Sequence, residues 1–231
     1  MNHKLPLPSP NRLCSPCRTA VCRALLVLSA TFMLITYQAK AAATIYDFAT
    51  DFSTTSGNPN GAWSYGYKPL IDNKPTGAFV ALSVNDSIPN AGRAWGYYEP
   101  GGGGLVWMNE MSYDQYNIAP GHLSLEGDPG NTTTARWTAP TSDYIDLAVA
   151  FGGSGAARYI MLNDTLLAEG DYQNSNLYVN TGDTIDVTAY GASAYGNTQT
   201  DITISVIPEA TTLTLLGAGT LGLVFRRKSK A

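Results

Sequence analysis

Strict alternation of apolar and polar residues is the sequence feature that most constrains the fold of this chain. Residues 144–151 carry large apolar side chains at odd positions and mostly small or acidic ones at even positions. Residues 184–190 and 201–206 repeat the pattern. A period of two over such lengths is typical of half-buried antiparallel strands, with one face packed and the other in water. The chain is therefore predicted to be all-β.

Turn signals separate these segments at the spacing expected of a sandwich. Asn163-Asp164 and Thr181-Gly182-Asp183 fall between the alternating runs, and no amphipathic helix of useful length occurs between 44 and 206. Short strands joined by such turns favour two packed antiparallel sheets. We predict one domain over 42–206, a two-sheet antiparallel β-sandwich with jelly-roll topology.

The charge of this domain limits its partners. Residues 42–207 contain 17 acidic and five basic side chains, a net charge of −12, because the other basic residues lie near the two ends of the chain. So acidic a surface is repelled by nucleic acid and by anionic lipid. Binding to nucleic acid is not expected.

The N-terminal 41 residues read as a signal peptide. A basic segment without acids precedes an apolar stretch at 24–37, and Ala39-Lys40-Ala41 then supplies the small-x-small pattern of signal peptidase cleavage. We expect the cut after Ala41, with Ala43 as the alternative. All three cysteines of the chain lie in this leader, so no disulfide is expected in the mature protein.

The C-terminal segment combines a short motif, an apolar run and a basic cluster. Pro208-Glu209-Ala210-Thr211 precedes the apolar residues 213–225, and Arg226-Arg227 follow. As a helix the run spans roughly 20 Å of a hydrocarbon core near 30 Å, which makes it a marginal anchor. The basic end is expected to stay cytoplasmic, with the rest of the chain outside. A permanent single-pass anchor and an ordinary core helix are the alternatives.

These C-terminal residues resemble the PEP-CTERM sorting signal of exported bacterial proteins associated with exopolysaccharide. Pro208, Glu209 and Thr211 match the motif, Arg226-Arg227 match its basic cluster, and Ala210 stands where the family usually has a second proline. The resemblance covers 207–231. It implies transient anchoring in the inner membrane and cleavage near Pro208-Glu209 by an exosortase, followed by release to the cell surface or extracellular matrix.

A second resemblance concerns the domain itself. Asn58-Pro59-Asn60-Gly61, with Trp63-Ser64-Tyr65-Gly66 close behind, a later Arg136-Trp137-Thr138 and a closing Thr181-Gly182-Asp183 are similar to a module of exported PEP-CTERM proteins. That module resembles carbohydrate-binding jelly rolls of the galactose-binding type. No catalytic activity is general to such modules. The resemblance implies a carbohydrate-binding-like fold.

Aromatic residues beside turns are the candidate ligand-binding residues. A flat ring buries the C–H face of a sugar while nearby amides and carboxylates bind its hydroxyls. The candidates for such a glycan platform are Trp63, Tyr65, Trp95, Tyr97 and Tyr98. The alternative is that these rings fill the sandwich core, as expected for Trp137.

Catalytic and metal sites are weakly indicated. Glu110 and Glu126 provide a distant glycoside hydrolase alternative, which requires two carboxyls about 5–10 Å apart. Asp164, Asp171, Asp183 and Asp186 lie in or near turns, where either a structural calcium ion or local hydrogen bonding is open. No cofactor and no catalytic residue are expected.

Together these features predict an exported, non-catalytic protein of the cell surface or exopolysaccharide matrix. Its expected partners are signal peptidase, an exosortase, the membrane through its C-terminal helix, and polysaccharide. A purely structural biofilm protein without a defined ligand is the alternative.

Overall fold

The computed structural model describes residues 42–72, 74–96, 104–127, 130–152, 157–190 and 196–207. All of them lie in one compact unit, Ala42–Glu209. The predicted signal peptide and sorting segment, including Ala39, Ala41, Pro208 and Arg226, lie outside the described residues. Among those described, no helix has both the length and the apolar character needed to span a membrane.

The described chain is built almost entirely of strands. One four-residue helix, α1 (Phe48–Asp51), is capped by the Asp47 side chain, which accepts a hydrogen bond from Thr50 N at 2.8 Å. The strands are β1 (Thr44–Asp47), β2 (Trp63–Pro69), β3 (Val80–Ala81), β4 (Asn85–Ile88), β5 (Gly92–Gly96), β6 (Leu105–Met108), β7 (Leu123–Gly127), β8 (Asn131–Thr138), β9 (Asp143–Phe151), β10 (Ala157–Leu162), β11 (Thr165–Glu169), β12 (Tyr172–Val179), β13 (Thr184–Tyr190) and β14 (Gly196–Ile207).

These strands form two antiparallel sheets. The larger has the order β12-β9-β14-β7-β6-β5-β4, with β1 also paired to β14, and the smaller has the order β11-β10-β13-β8-β2-β3. The long strand β14 pairs with β9 along one edge, and with β7 and then β1 along the other. The predicted all-β architecture with two antiparallel sheets is confirmed. Jelly-roll topology and a galactose-binding-like fold stay predictions.

The main core lies between the sheets. Its buried residues come from the inward positions of both, such as Leu125 and Leu147 of the larger sheet and Trp137 and Val187 of the smaller. In β9 the odd positions from Ile145 to Phe151 are buried, and the even positions from Tyr144 to Ala150 are exposed. The alternation read from the sequence therefore assigns the two faces of this strand correctly.

Each sheet also carries a second, smaller layer on its outer face. On the larger sheet, Trp107 and Leu105 pack with Ile118 of the loop after β6, while Val106 between them belongs to the main core. On the smaller sheet, the ring of Phe79 lies against Gly66, and the Arg136 guanidinium stacks on it at 4.2 Å from the ring centroid. The loops cover these parts of the outer faces and leave others open.

Candidate functional site

The predicted glycan platform does not form as an open surface. Trp63, Tyr65 and Trp95 are 1%, 0% and 5% exposed. Tyr65 packs against Phe52 at 5.1 Å between ring centroids and stacks on Trp95 at 6.3 Å. Tyr97 and Tyr98 lie outside the described residues. The prediction of open aromatic faces is wrong for the three described rings.

The physical reason is their position on inward-facing parts of the strands. Trp63 and Tyr65 are two residues apart on β2, so both point to the same face, which is the core side opposite Trp137 and Ala135. The indole N–H groups of both tryptophans find acceptors: Trp63 Nε1 donates to Asp51 Oδ2 at 3.1 Å, and Trp95 Nε1 donates to Ser53 O at 2.7 Å. Burial raises the pKa of the Tyr65 phenol to about 12.

A groove lies instead on the outer face of the larger sheet. It has a volume of about 500 Å³ and crosses strands β12, β9 and β14. Its lining residues are Ala148, Val149, Ala150, Asp171, Tyr172, Gln173, Asp201 and Thr203. We call this feature the groove. It is concave because the central strand presents two alanines, whereas both neighbouring strands present longer side chains.

Cross-strand pairing arranges the groove in rows. Ala148 is directly paired with Gln173 of β12 and with Thr203 of β14, so an amide and a hydroxyl flank its methyl group. Ala150 is paired with Asp201, and Asp171 immediately precedes the partner of Val149. Each row therefore has an apolar floor between two polar walls, which suits a ring with one C–H face and hydroxyls at its edges.

The carboxylates at this end are held by specific hydrogen bonds. Asp171 Oδ1 accepts from Phe151 N at 2.8 Å. Asp201 Oδ1 lies 2.6 Å from His122 Nδ1, and Asp201 Oδ2 accepts from Gln199 Nε2 at 3.3 Å. Both side chains of the His122–Asp201 pair are about 40% exposed. The two carboxylates are fixed in position but remain open to solvent.

Two exposed tyrosines lie on the same face, further along β9. Tyr144 and Tyr178 are directly paired, 44% and 49% exposed, and their rings meet edge to face at 5.1 Å. We call them the tyrosine pair. Asp146 and Ser205 occupy the row between this pair and the groove. The face thus continues from aromatic rings at one end to carboxylates at the other.

The structure does not bring Glu110 and Glu126 together. Glu126 is paired with Leu105 at the start of β6, whereas Glu110 follows the end of that strand and forms an ion pair with Arg93 at 3.3 Å. A strand rise of about 3.3 Å per residue puts their backbones roughly 16 Å apart.

The four turn aspartates are likewise dispersed into separate local roles. Asp164 and Asp186 both contact Lys68, Asp183 accepts hydrogen bonds from Asn180 and Asn163, and Asp171 lies in the groove. In the described part of the chain, no group of three or more His, Cys, Asp or Glu side chains is arranged to hold a metal. No calcium site is assigned.

Sequence reasoning missed the groove and the tyrosine pair. The signal was present in the alternation, because an exposed Tyr144 shares its face with two alanines in a strand whose inward residues are all large. Strand β12, which supplies the opposite wall, was not predicted, since Tyr172–Val179 is rich in Asn, Ser and Gln rather than in strand-forming residues.

Comparison with known proteins identifies the C-terminal segment. Residues 206–228 match the PEP-CTERM protein-sorting motif. The chain is therefore an exported protein that is sorted by an exosortase and transiently anchored in a membrane. No curated protein matches the chain.

Solved structures give only a distant likeness. The β-glucosidase from Kluyveromyces marxianus in complex with glucose matches at 11% identity and a TM-score of 0.27. The match covers 66% of this chain and 17% of that enzyme. At this TM-score the likeness supports neither a shared fold nor a shared activity.

Proposed function

We propose that this exported protein is a non-catalytic component of the cell surface or exopolysaccharide matrix that binds polysaccharide in the groove. The observation that carries the proposal is the concave outer face of the larger sheet. It combines a floor of Ala148 and Ala150, polar walls, and the tyrosine pair in line with them. These are the elements that a sugar chain needs: apolar contact for ring faces and polar groups for hydroxyls.

The dimensions fit a short stretch of polymer. Along β9 the distance from Tyr144 to Ala150 is six residues, or roughly 20 Å at about 3.3 Å per residue. Tyr144 and Ala150, which mark the two ends of this path, are both exposed on the sheet surface. A polymer that passes along an open face needs no enclosed pocket, in contrast to a small ligand.

The sorting signal is consistent with this role. Every described strand ends at or before Ile207, and the proposed cleavage site at Pro208-Glu209 follows directly. Cleavage there leaves all strand pairing intact. We propose that the basic C-terminal end stays cytoplasmic until the exosortase cuts, and that the sandwich is then released to the surface or matrix.

Affinity electrophoresis tests the binding function. Residues 42–207 are run through gels containing different polysaccharides, including the exopolysaccharide of the source organism. The test variant is Ala148→Trp, which fills the groove from an exposed position and leaves the core untouched. Ala81→Trp, at an exposed position on the edge strand β3 of the other sheet, is the matched control.

The expected result is retardation of the wild type and of Ala81→Trp, with affinity reduced about tenfold or more in Ala148→Trp, or ~1.4 kcal/mol. Tyr144→Ala together with Tyr178→Ala is expected to weaken binding as well. Equal retardation of the wild type and of folded Ala148→Trp contradicts the assignment to the groove. Circular dichroism of each variant confirms the folded state.

A purely structural matrix protein is the second candidate. The burial of Trp63, Tyr65 and Trp95 favours it, because rings that complete a core need no ligand to account for them. Under this alternative no polysaccharide retards the protein in any gel.

A further inference from the structure

The charged side chains that line the groove are of one sign. Asp171 and Asp201 are the ionisable groups on its walls apart from the phenol of Tyr172, and the described lining residues include no lysine or arginine. These negative charges lie on the walls of a groove with a defined floor. They therefore influence which sugar chain the groove binds.

The two carboxylates stand on opposite walls. Asp201 is paired with Ala150, and Asp171 immediately precedes the other neighbouring strand, β12, at the equivalent level, where it accepts a hydrogen bond from Phe151 N. Their backbones are therefore two strand spacings apart, about 10 Å. A sugar ring seated over Ala150 has a carboxylate at each edge, within reach of substituents that project from the ring.

The fixed hydrogen bonds keep these carboxylates oriented along the walls. Asp171 uses Oδ1 for a backbone amide, and Asp201 is held by Gln199 and His122. His122 Nδ1 lies 2.6 Å from Asp201 Oδ1, so one oxygen of that carboxylate is shared with an imidazole.

The field of the whole domain has the same sign. With 17 acidic and five basic side chains between 42 and 207, the domain repels polyanions and attracts cations. This field repels a uronic-acid polymer along its entire length, whereas it neither attracts nor repels a neutral polymer.

We infer that the groove selects a polysaccharide of amino sugars with free, protonated amino groups, and that Asp171 and Asp201 bind those groups. This inference rests on the proposed polysaccharide binding and names its ligand class. The tyrosine pair and the alanine floor contact ring faces of any sugar, whereas the two carboxylates discriminate by charge.

Matched oligosaccharides separate these contributions. Binding of residues 42–207 to an oligomer of glucosamine is compared by calorimetry with binding to its fully N-acetylated twin of equal length and to a uronic-acid oligomer. The buffer is mildly acidic, so that the amino groups are protonated. The variants are Asp171→Asn, Asp201→Asn and both together. Asp72→Asn is the control, since Asp72 is exposed on the loop after β2 and its left-handed backbone suits asparagine.

The expected result is tighter binding of the glucosamine oligomer than of its acetylated twin, and no binding of the uronic-acid oligomer. Each groove substitution is expected to lower the glucosamine affinity by about two- to fivefold. Asp72→Asn is expected to leave it unchanged, and added salt to reduce the preference. The affinity for the acetylated twin is expected to stay the same in all variants.

Equal or tighter binding of the acetylated or uronic-acid oligomer overturns the selectivity while leaving polysaccharide binding in place. An equal loss in Asp72→Asn and Asp171→Asn overturns the role of the groove carboxylates, because only net charge is then at work. Binding of none of the oligomers, in a folded protein that also passes unretarded through every polysaccharide gel, removes the proposed function itself.

Discussion

Replacement of Asp186 by alanine is expected to destabilise the protein by about 3–5 kcal/mol, the usual cost of removing one partner from a buried ion pair. Asp186 is 1% exposed on β13 and accepts from Lys68 Nζ at 3.0 Å. It also accepts from Arg136 Nε at 2.6 Å and Nη2 at 2.8 Å. Without this carboxylate, the fully buried ammonium of Lys68 keeps a single ion-pair partner in the described part of the chain, Asp164, whose side chain is 67% exposed.

Two companion variants calibrate this magnitude. Lys68→Met is expected to lower the free energy of unfolding by less, about 1–2 kcal/mol. Asp186 keeps its two hydrogen bonds from Arg136, and the methionine replaces the apolar stem of lysine. Asp164→Ala is expected to cost under about 1 kcal/mol, as an exposed partner contributes little. Burial of the Arg136 guanidinium acts to lower its pKa, but the hydrogen bond and charge of Asp186, together with the charge of Asp164, outweigh burial and raise that pKa.

Urea unfolding of residues 42–207, followed by tryptophan fluorescence, measures the free energy of unfolding of all three variants. An unchanged slope of the transition shows that each variant still unfolds in a two-state manner. The expected order of loss is Asp186→Ala, then Lys68→Met, then Asp164→Ala. A loss below about 1 kcal/mol for Asp186→Ala refutes the reasoning, because an uncompensated buried charge cannot be so inexpensive. A larger loss for Lys68→Met than for Asp186→Ala also refutes it.

Further predictions concern turns, cores and close packing. Hydrogen bonds from Asn180 N and Asn163 Nδ2 lower the pKa of Asp183. Asp183 therefore stabilises the fold at pH values above the ordinary pKa of aspartate, and this stabilisation is lost as the pH falls through the lowered pKa. The urea midpoint of Asp183→Ala should lie below that of the wild type at neutral pH, and the difference should shrink in acid. Trp63→Ala should cost about 3–5 kcal/mol, and Tyr178→Ala under about 1 kcal/mol, in the same assay. Gly66→Ala should raise the unfolding rate and cost about 1–3 kcal/mol, because the new Cβ meets Phe79 and Val80 O at 2.4 Å; an unchanged midpoint would show that the Phe79 ring moves freely.

The parts of the fold that follow from local pattern were predictable. The alternating runs at 144–151, 184–190 and 201–206 coincide with β9, β13 and β14. Asn163-Asp164 forms the turn between β10 and β11 with positive φ at both residues, 48° and 63°, as the tightest hairpin turns require. These strands and turns depend on interactions between residues that are close together in the chain, so the local sequence pattern is enough to predict them.

Long-range arrangements were not predictable from one sequence. Lys68 meets Asp164 and Asp186 across 96 and 118 residues, and no spacing rule links such positions. The groove depends on which strands flank β9. Ala148 lines a groove because strand pairing places Gln173 on one side of it and Thr203 on the other.

The predicted exposure of Trp63, Tyr65 and Trp95 was wrong for a related reason. A tryptophan beside a turn fits equally well a surface that binds sugars and a core that needs large side chains. Sheet packing decides between them, and at Trp63 it places the ring opposite Trp137 and beside Phe48, at 5.3 Å between centroids. Exposed aromatic rings are found instead on β9 and β12, at Tyr144 and Tyr178.

The most direct test of the central claim is an amide chemical-shift titration of ¹⁵N-labelled residues 42–207 with the polysaccharide oligomer that binds best in electrophoresis. Perturbed amides are expected to cluster at Ala148, Ala150, Gln173 and Thr203 and to extend toward Tyr144, while amides of the smaller sheet stay unchanged. Perturbations centred on the smaller sheet, or none at saturating oligomer, would contradict the assignment of the groove as the binding site.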